Sequence, residues 1–409
     1  MFTLLISALW LIAFAWLVIV VLTLHGLSRQ RRLLATSDLR LTTSEAPFVS
    51  ILVPARNEEQ RVLEDCIRSI LAQDYGRFEV IAVDDRSTDN TGAILKRLAQ
   101  RDERLTVIEG AELPPGWLGK PYAMQQALNH ARGEWILATD ADMIFEAAAL
   151  RSAMDCALEH NADALTLIPQ FETGSFWERV MIPTWEWVFL MFTIFYRVND
   201  PKSDRGAGIG GFFLIRRTVL NRVGGYEGLK DEVMEDVRLA ERVKRLGARM
   251  MIDRAPALIR TRMYRTFGEM WECSTKNWFS GVNFSFPFAL LCVVSMYLGA
   301  VVPALIALVS VLAIAFGAEL NSVVIPAALS WLFQVLVLAI ASRRSGVSVI
   351  YALTAPLGLA LIYAMLFDSG LRITTGKGVT WKGRRIYERR GVRPPRLRTA
   401  ASQVSKLEE

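Results

Sequence analysis

The sequence predicts an α/β protein with a mostly parallel sheet, attached to transmembrane α-helices. Two observations carry that expectation. Between about residues 40 and 264, short β-branched runs alternate with segments of helical apolar spacing, and acidic residues gather where the runs end. Outside that block, four stretches contain no Asp, Glu, Lys or Arg: Phe2 to Leu24, Phe279 to Ala318, Leu320 to Ser342 and Ser345 to Phe367. Each reaches the roughly 20 residues a helix needs to cross a hydrocarbon core. At 52% hydrophobic residues over 409 positions, the chain is too apolar for an ordinary soluble protein.

Taken in chain order, the first apolar stretch reads as an anchor over residues 1–27. It has no basic residue ahead of it, is longer than the apolar core of a signal peptide, and lacks a small-residue cleavage site. Arg29, Arg31 and Arg32 follow, so the positive-inside rule places the next block in the cytosol. That block opens with a strand at Val49–Val53, expected to stop at Pro54, and a helix carrying Leu63, Ile67, Ile70 and Leu71 on one side. A strand at Val80–Val83, a helix at Asn90–Gln100, a strand at Leu105–Ile108, a helix at Tyr122–His130 and a strand at Trp135–Ala138 continue the alternation. Such alternation implies a Rossmann-like sheet with its ligand cleft at the carboxyl ends of the strands. The domain is expected to span 40–264.

Residues 176–196 are rich in aromatics, including Trp177, Trp185, Trp187 and Phe189, yet carry Glu178, Arg179 and Glu186. A crossing there would put the acids before it and after it on opposite faces of the membrane, so an interfacial or acceptor-groove helix is expected. A second amphipathic helix is expected at 265–283, with Phe267, Trp271, Ser274 and Trp278 on one face. A transmembrane bundle over 284–368 and a basic tail over 369–409 complete the chain. Three crossings after the domain would leave the tail outside, although Arg372 to Arg398 carries ten Lys and Arg. The uncharged run from 279 to 318, with Pro287 and Pro303, is long enough to hold a re-entrant or broken segment. A cytosolic C-terminus is therefore expected.

The net charge of +6 comes from basic residues crowded at the membrane flanks and in the tail, which points to anionic lipid headgroups and not to nucleic acid. No two of the four cysteines (Cys66, Cys156, Cys273, Cys292) have CxxC spacing, so neither a thiolate zinc site nor a disulfide framework is suggested, which agrees with a reducing compartment. The three histidines (His25, His130, His160) are not placed for metal ligation or a triad.

Asp84 and Asp85 close the second strand, and two adjacent acids there exceed what helix capping requires, a role that suits Asp89. One carboxylate can accept a uracil N–H or a ribose hydroxyl, with Pro54, Arg56 and Glu58 flanking the same cleft. Asp140 and Asp142 follow the strand at 135–138 in a DxD pattern. Alternate residues of an extended segment point to opposite sides, so one acid can orient the site while the other ligates a cation. Mg²⁺ or Mn²⁺ takes one or two carboxylates plus phosphate oxygens, which a nucleoside diphosphate supplies. Glu235 and Asp236 precede a helix, and Asp236 is the candidate general base for an acceptor hydroxyl, beside Glu235. Lys120, after Gly119, either reaches a phosphate or ribose oxygen or is simply solvated. Arg384, in Trp381-Lys-Gly-Arg-Arg385, either folds over a diphosphate or holds lipid headgroups. Gly206, Gly208, Gly210 and Gly211 precede a strand instead of opening a helix, which rules against a dinucleotide fingerprint and points to close approach of an acceptor, at Gly210 and Gly211 in particular.

These residues resemble the inverting family 2 glycosyltransferases of GT-A fold. Val53-Pro-Ala-Arg-Asn-Glu-Glu59, Val83-Asp-Asp-Arg-Ser-Thr-Asp89, Asp140-Ala-Asp142, the segment Arg217 to Gly225 and Glu235-Asp236 occur in that family's order and spacing, over about residues 48 to 265. Leu113-Pro-Pro-Gly-Trp-Leu-Gly-Lys120, Val198-Asn-Asp-Pro201, Arg260-Thr-Arg262 and Trp381-Lys-Gly-Arg384 are most similar to the hopanoid-associated members, with carotenoid and ceramide glycosyltransferases more distant. The resemblance implies Asp85 at the nucleotide, Asp142 at the metal and Asp236 as base. Processive synthases carry QxxRW, and here only Trp278 of Ser274-Thr-Lys-Asn-Trp278 survives, so single-sugar transfer to a lipid is implied. Trp278 then falls on the acceptor side. A polyprenyl-phosphate sugar transferase or a processive polysaccharide synthase is the alternative, and the expected location is the cell (inner) membrane, multi-pass, with the catalytic domain cytosolic.

Overall fold

A computed structural model describes residues 2–35, 46–193, 195–317, 319, 322–388, 392 and 394. The start of the expected domain at 40–45 and nearly all of the tail beyond 388 lie outside the described residues. The chain divides into two units, one of residues 1–29, 172–192 and 264–379, the other of residues 30–171, 193–263 and 380–409.

The second unit is built on a seven-stranded sheet. Its strands are β1 Val49–Ala55, β2 Phe78–Asp84, β3 Leu105–Glu109, β4 Trp135–Ala138, β5 Ala164–Ile168, β6 Phe213–Arg216 and β7 Met250–Arg254, in the order β3-β2-β1-β4-β6-β5-β7. All neighbours are parallel except β6, which runs antiparallel to β4 and β5. The β1 and β2 side chains are buried along almost their whole length, as expected for strands covered on both faces. Ile51, Val53, Ile67, Ile70, Leu137, Leu165 and Phe212 join one core, each fully buried aliphatic contributing roughly 1.5–3 kcal/mol.

Strand β1 continues through Pro54 to Ala55, with Pro54 opposite Val83 and Ala55 opposite Asp84. Proline lacks a donor but sits at the strand end, where the ladder needs none from it. The pairing of β1 with β4 ends at Leu52 and Ala138. Thr139 N–H still donates to Leu52 O at 3.1 Å, and the loop carrying Asp140 and Asp142 follows. The far side of this loop is pinned by a small sheet in which Met143–Phe145 runs antiparallel to Ile259–Thr261.

The tail also joins this unit. Val379–Trp381 and Arg384–Ile386 form a hairpin, turned at Lys382 and Gly383 with φ of 45° and 76°. Two left-handed residues make the turn whose twist suits a two-residue hairpin. The expected continuous domain at 40–264 thus differs from what is observed. Residues 172–192 leave it for the helical unit, because Val180, Met181, Ile182, Trp187 and Val188 are buried there in a helix over Phe176–Thr193.

Among the described residues, four helices are long and apolar enough to cross a membrane: Phe2–Ser28, Phe286–Ala315, Val324–Arg344 and Val349–Thr374. Within the described part of the run from 279 to 318, the chain breaks once, between the helix ending at Gly281 and the one starting at Phe286, with Asn283 and Phe284 both at φ 56°. A π-helical turn at Tyr297–Val301 precedes Pro303, and the helix passes on to Ala315, the ring being accommodated by the local widening. Leu9 packs with Ala307, Val323 and Ala327, and the Trp16 indole N–H donates to Gly299 O at 2.8 Å. Leu4, Leu11 and Phe14 face outward, the inverse of a soluble surface.

The helix Phe267–Gly281 buries Met270, Cys273, Ser274, Thr275 and Phe279. Of the expected face, Ser274 is buried while Phe267, Trp271 and Trp278 are half-buried. The buried stripe lies against the helix Ala355–Thr374, where the Trp271 indole N–H donates to Asp368 at 2.8 Å and the Ser369 hydroxyl donates to Thr275 O. Polar pairing with that neighbour, invisible to apolar periodicity, set the face.

Candidate active site at the carboxyl end of the sheet

The β1 and β2 ends form one half of the site. Arg56 donates to the carbonyls of Asp85 and Arg86, both at 2.7 Å, which holds the turn after β2. Asp84 accepts from Ser87 N–H at 3.1 Å and is directed at that turn. Asp89 accepts from Thr91 N–H at 3.0 Å and Glu59 N–H at 3.1 Å, the capping role expected of it. The Asp85 carboxylate is buried, and both oxygens are taken by guanidinium groups: Arg86 at 2.8 Å on Oδ1 and Arg384 at 2.6 Å on Oδ2. Such charge-assisted pairs are the strong class of hydrogen bond. The second tail cation, Lys382, pairs with Glu58 and donates to Arg56 O at 3.1 Å. The hairpin is moored by Tyr387, whose hydroxyl donates to Asp231 O at 2.9 Å and accepts from Val233 N–H at 3.2 Å.

The other half centres on Lys120, near the start of the helix Gly119–His130. Its ammonium bridges Asp140 Oδ1 at 2.6 Å and Glu235 Oε1 at 2.7 Å. Burial opposes its charge, but the carboxylates of Asp140, Glu235 and Asp236 outweigh that and raise its pKa well above the usual lysine value. Asp236, at the first turn of the helix Glu235–Arg245, accepts from Val237 N–H at 2.8 Å. Burial and the charge of Glu235 nonetheless push its pKa up to about 7.

The glycines explain how these groups come so close. A Cβ on Gly210 would lie 3.0 Å from Lys120 Nζ and 3.3 Å from both Asp140 Oδ2 and Asp236 Oδ2. Gly210 therefore lies among the three charged groups. Gly206 and Gly208 pack their backbone on that of residues 236–241, leaving no room for a Cβ, and Gly211 packs on Met143. Their close approach is to the helix and to Met143, where an acceptor was expected.

Asp142 is half-buried, and burial with the charges of Asp140 and Glu58 pushes its pKa up to about 7. A cation would relieve that crowding. Among the described residues no three acidic, His or Cys side chains converge as a complete ligand set. Hard oxygen donors in this number fit Mg²⁺ or Mn²⁺ held by one or two carboxylates, with the remaining ligands supplied by a diphosphate. Trp278 lies half-buried in the helical unit.

Sequence reasoning missed Arg86, Lys382, Tyr387 and Tyr226. Lys382 and Arg86 adjoin residues that were singled out, so proximity was the available signal. Tyr226 directly follows Gly224 and Gly225, and its ring lines the pocket shared by Lys120, Gly210, Glu235 and Asp236.

Residues 50–224 match the family model described as Glycosyl transferase family 2. The beta-monoglucosyldiacylglycerol synthase of Nostoc sp. is 41% identical over 98 residues, 24% of this chain and 20% of that protein. The probable glycosyltransferase YdaM of Bacillus subtilis is 27% identical over 225 residues, 51% of this chain and 49% of that protein. The chain thus spans about a fifth of the first relative and half of the second. Among solved structures, the mannosyltransferase PcManGT of Pyrobaculum calidifontis, in complex with GDP-Man and Mn²⁺, gives a TM-score of 0.52 at 18% identity, covering 90% of this chain and 98% of that one. That likeness shows the fold, a GT-A sheet with helices.

Proposed function

We propose that the chain, whose residues 50–224 match glycosyltransferase family 2, is a membrane-bound inverting hexosyltransferase, moving a single sugar from a UDP-sugar to a lipid such as a hopanoid. The observation that carries this reading is the bridge made by Lys120 between Asp140 and Glu235, which sets Asp236 beside the DxD loop across Gly210. One carboxylate with no guanidinium partner among the described residues thereby faces the acids suited to a metal-bound diphosphate.

In the proposed reaction the acceptor oxygen bonds to the anomeric carbon as the bond to the diphosphate breaks, inverting the centre. The hydroxyl proton passes to the Asp236 carboxylate, whose raised pKa matches a general base working near neutrality. Asp85 accepts from the base or ribose, and Pro54, Arg56, Glu58 and Asp84 shape the wall around it. Asp142 and Asp140 would hold Mg²⁺ or Mn²⁺, which when bound offsets the charge of the departing diphosphate. Lys120 and Arg384 add fixed positive charge at the same end. Gly210, bare of a side chain among Lys120, Asp140 and Asp236, leaves space for the acceptor. The four apolar helices support a multi-pass protein of the cell (inner) membrane with its catalytic domain cytosolic.

The test is nucleoside diphosphate release by the full chain in detergent, given UDP-glucose, UDP-galactose, UDP-N-acetylglucosamine or GDP-mannose singly, with a native lipid extract and Mn²⁺. Lipid-dependent release from one donor, abolished by EDTA and reduced on the order of a hundredfold in Asp236→Asn, is expected. No release from any donor would sink the reading. Near-normal turnover by Asp236→Asn would favour a phosphate acceptor, which needs no strong base.

A further inference from the structure

Tyr226 is a buried donor with nothing to donate to among the described residues. Gly224 and Gly225, both left-handed with φ of 88° and 59°, turn the chain so that Tyr226 N–H donates to Gln125 Oε1 at 3.0 Å. The side chain is 2% exposed, yet its phenolic oxygen has no hydrogen-bond partner among the described residues. Native proteins pair nearly all such groups, and an orphan at a pocket wall points to a ligand. Phenylalanine would fill the same space without the cost of an unmade hydrogen bond.

The pocket wall has two characters. Lys120, Glu235 and Asp236 supply charge, while Met124, Phe213 and Leu239 supply apolar surface. A sugar ring has matching parts, with C–H groups on its faces and hydroxyls at its edge. A lipid tail would leave the phenol unpaired, and the proposed base and ribose contacts belong to Asp85. Burial and the charges of Glu235 and Asp236 raise the pKa of the phenol, so it keeps its proton and stays a donor.

We propose that the Tyr226 hydroxyl donates a hydrogen bond to an edge hydroxyl of the transferred sugar and so helps to set which sugar is accepted. The inference rests on the transferase reading above and adds a donor-specificity residue to it. Its carboxylate neighbours can only accept hydrogen bonds when ionised, whereas Tyr226 brings a neutral donor.

Two measurements on Tyr226→Phe test it. The first is the melting temperature without ligand, expected to equal or exceed that of the wild type, because the phenol has no partner to lose; a clear fall would mean that it is paired in the free protein and would overturn the proposal. The second is kcat/KM for the donor selected by the release assay and for its monodeoxy analogues. The wild type should disfavour one analogue by about ten- to a hundredfold, and Tyr226→Phe should lose that preference. Unchanged discrimination by the variant, or a loss confined to KM for the lipid, overturns the inference alone. A wild type inactive with every donor overturns the transferase reading, and this inference with it.

Discussion

Asp236 illustrates how an environment tunes one carboxyl group. Burial comes first and Glu235 second in lifting its pKa to about 7, against roughly 3.9 in an unfolded chain. The fold therefore favours the protonated form. The stability this brings is fully present below about pH 4 and is lost as pH rises through about 7. Asp236→Asn removes the ionised form altogether, so at pH 8 it should melt above the wild type, with the gap closing by pH 5. Thermal melts at the two values decide the matter, and a variant that melts lower at pH 8 would contradict the burial account. The same shift predicts that kcat/KM of the wild type falls about tenfold per pH unit on the acid side of about 7, as the base form is depleted. Asp236 was readable as a base from its place before a helix. Its perturbation was not, because that depends first on burial, which arises only when distant segments pack around it, and the adjacent Glu235 then adds to it against the opposing charge of Lys120.

Among the elements, the tail hairpin is the least expected. The alternatives for Trp381 to Arg385 were a lid over the diphosphate or a headgroup contact, and the hairpin now places Arg384 on Asp85 and Lys382 on Glu58. Local sequence explains the hairpin, since Lys-Gly suits its turn, but not its target. Arg384→Ala should weaken UDP binding about tenfold while leaving uridine binding unchanged or tighter, because the removed guanidinium serves the diphosphate and otherwise competes for Asp85. Titration calorimetry with both ligands reads this directly. Equal affinity of wild type and variant for UDP would remove Arg384 from the donor site. The helix Glu235–Arg245 shows the converse case. Its existence was legible from apolar spacing, whereas its position follows from Gly206 and Gly208, whose missing side chains let the backbone lie against it.

At the scale of the whole molecule, the count of membrane crossings turns on one helix. Ala355–Thr374 accompanies only the first half of Phe286–Ala315: Tyr297 donates to Ala360 O at 3.0 Å, and the rings of Phe286 and Phe367 lie 6.1 Å apart. By contrast, Leu9 meets Ala307 and Val323 further along. We read Ala355–Thr374 as a helix that enters without crossing, which leaves two crossings after the domain. The tail then returns to the domain's own face, in keeping with its hairpin belonging to the sheet unit. In sealed vesicles, an epitope at the C-terminus should share the protease protection of the sheet domain. Protection of one with digestion of the other would restore a third crossing.

The amino-acid sequence alone determined the α/β class, the carboxylates at the strand ends and the apolar helices. Each of these is written in local periodicity or in short motifs that require particular residue types side by side. Only the tertiary structure decided that 172–192 leave the sheet unit while the tail from 380 joins it. It also decided that Arg384 meets Asp85 across 299 positions and that a buried phenol stands unpaired beside the proposed base. Such pairings depend on which charges are desolvated together and which backbones can approach, and those quantities arise only when distant segments pack.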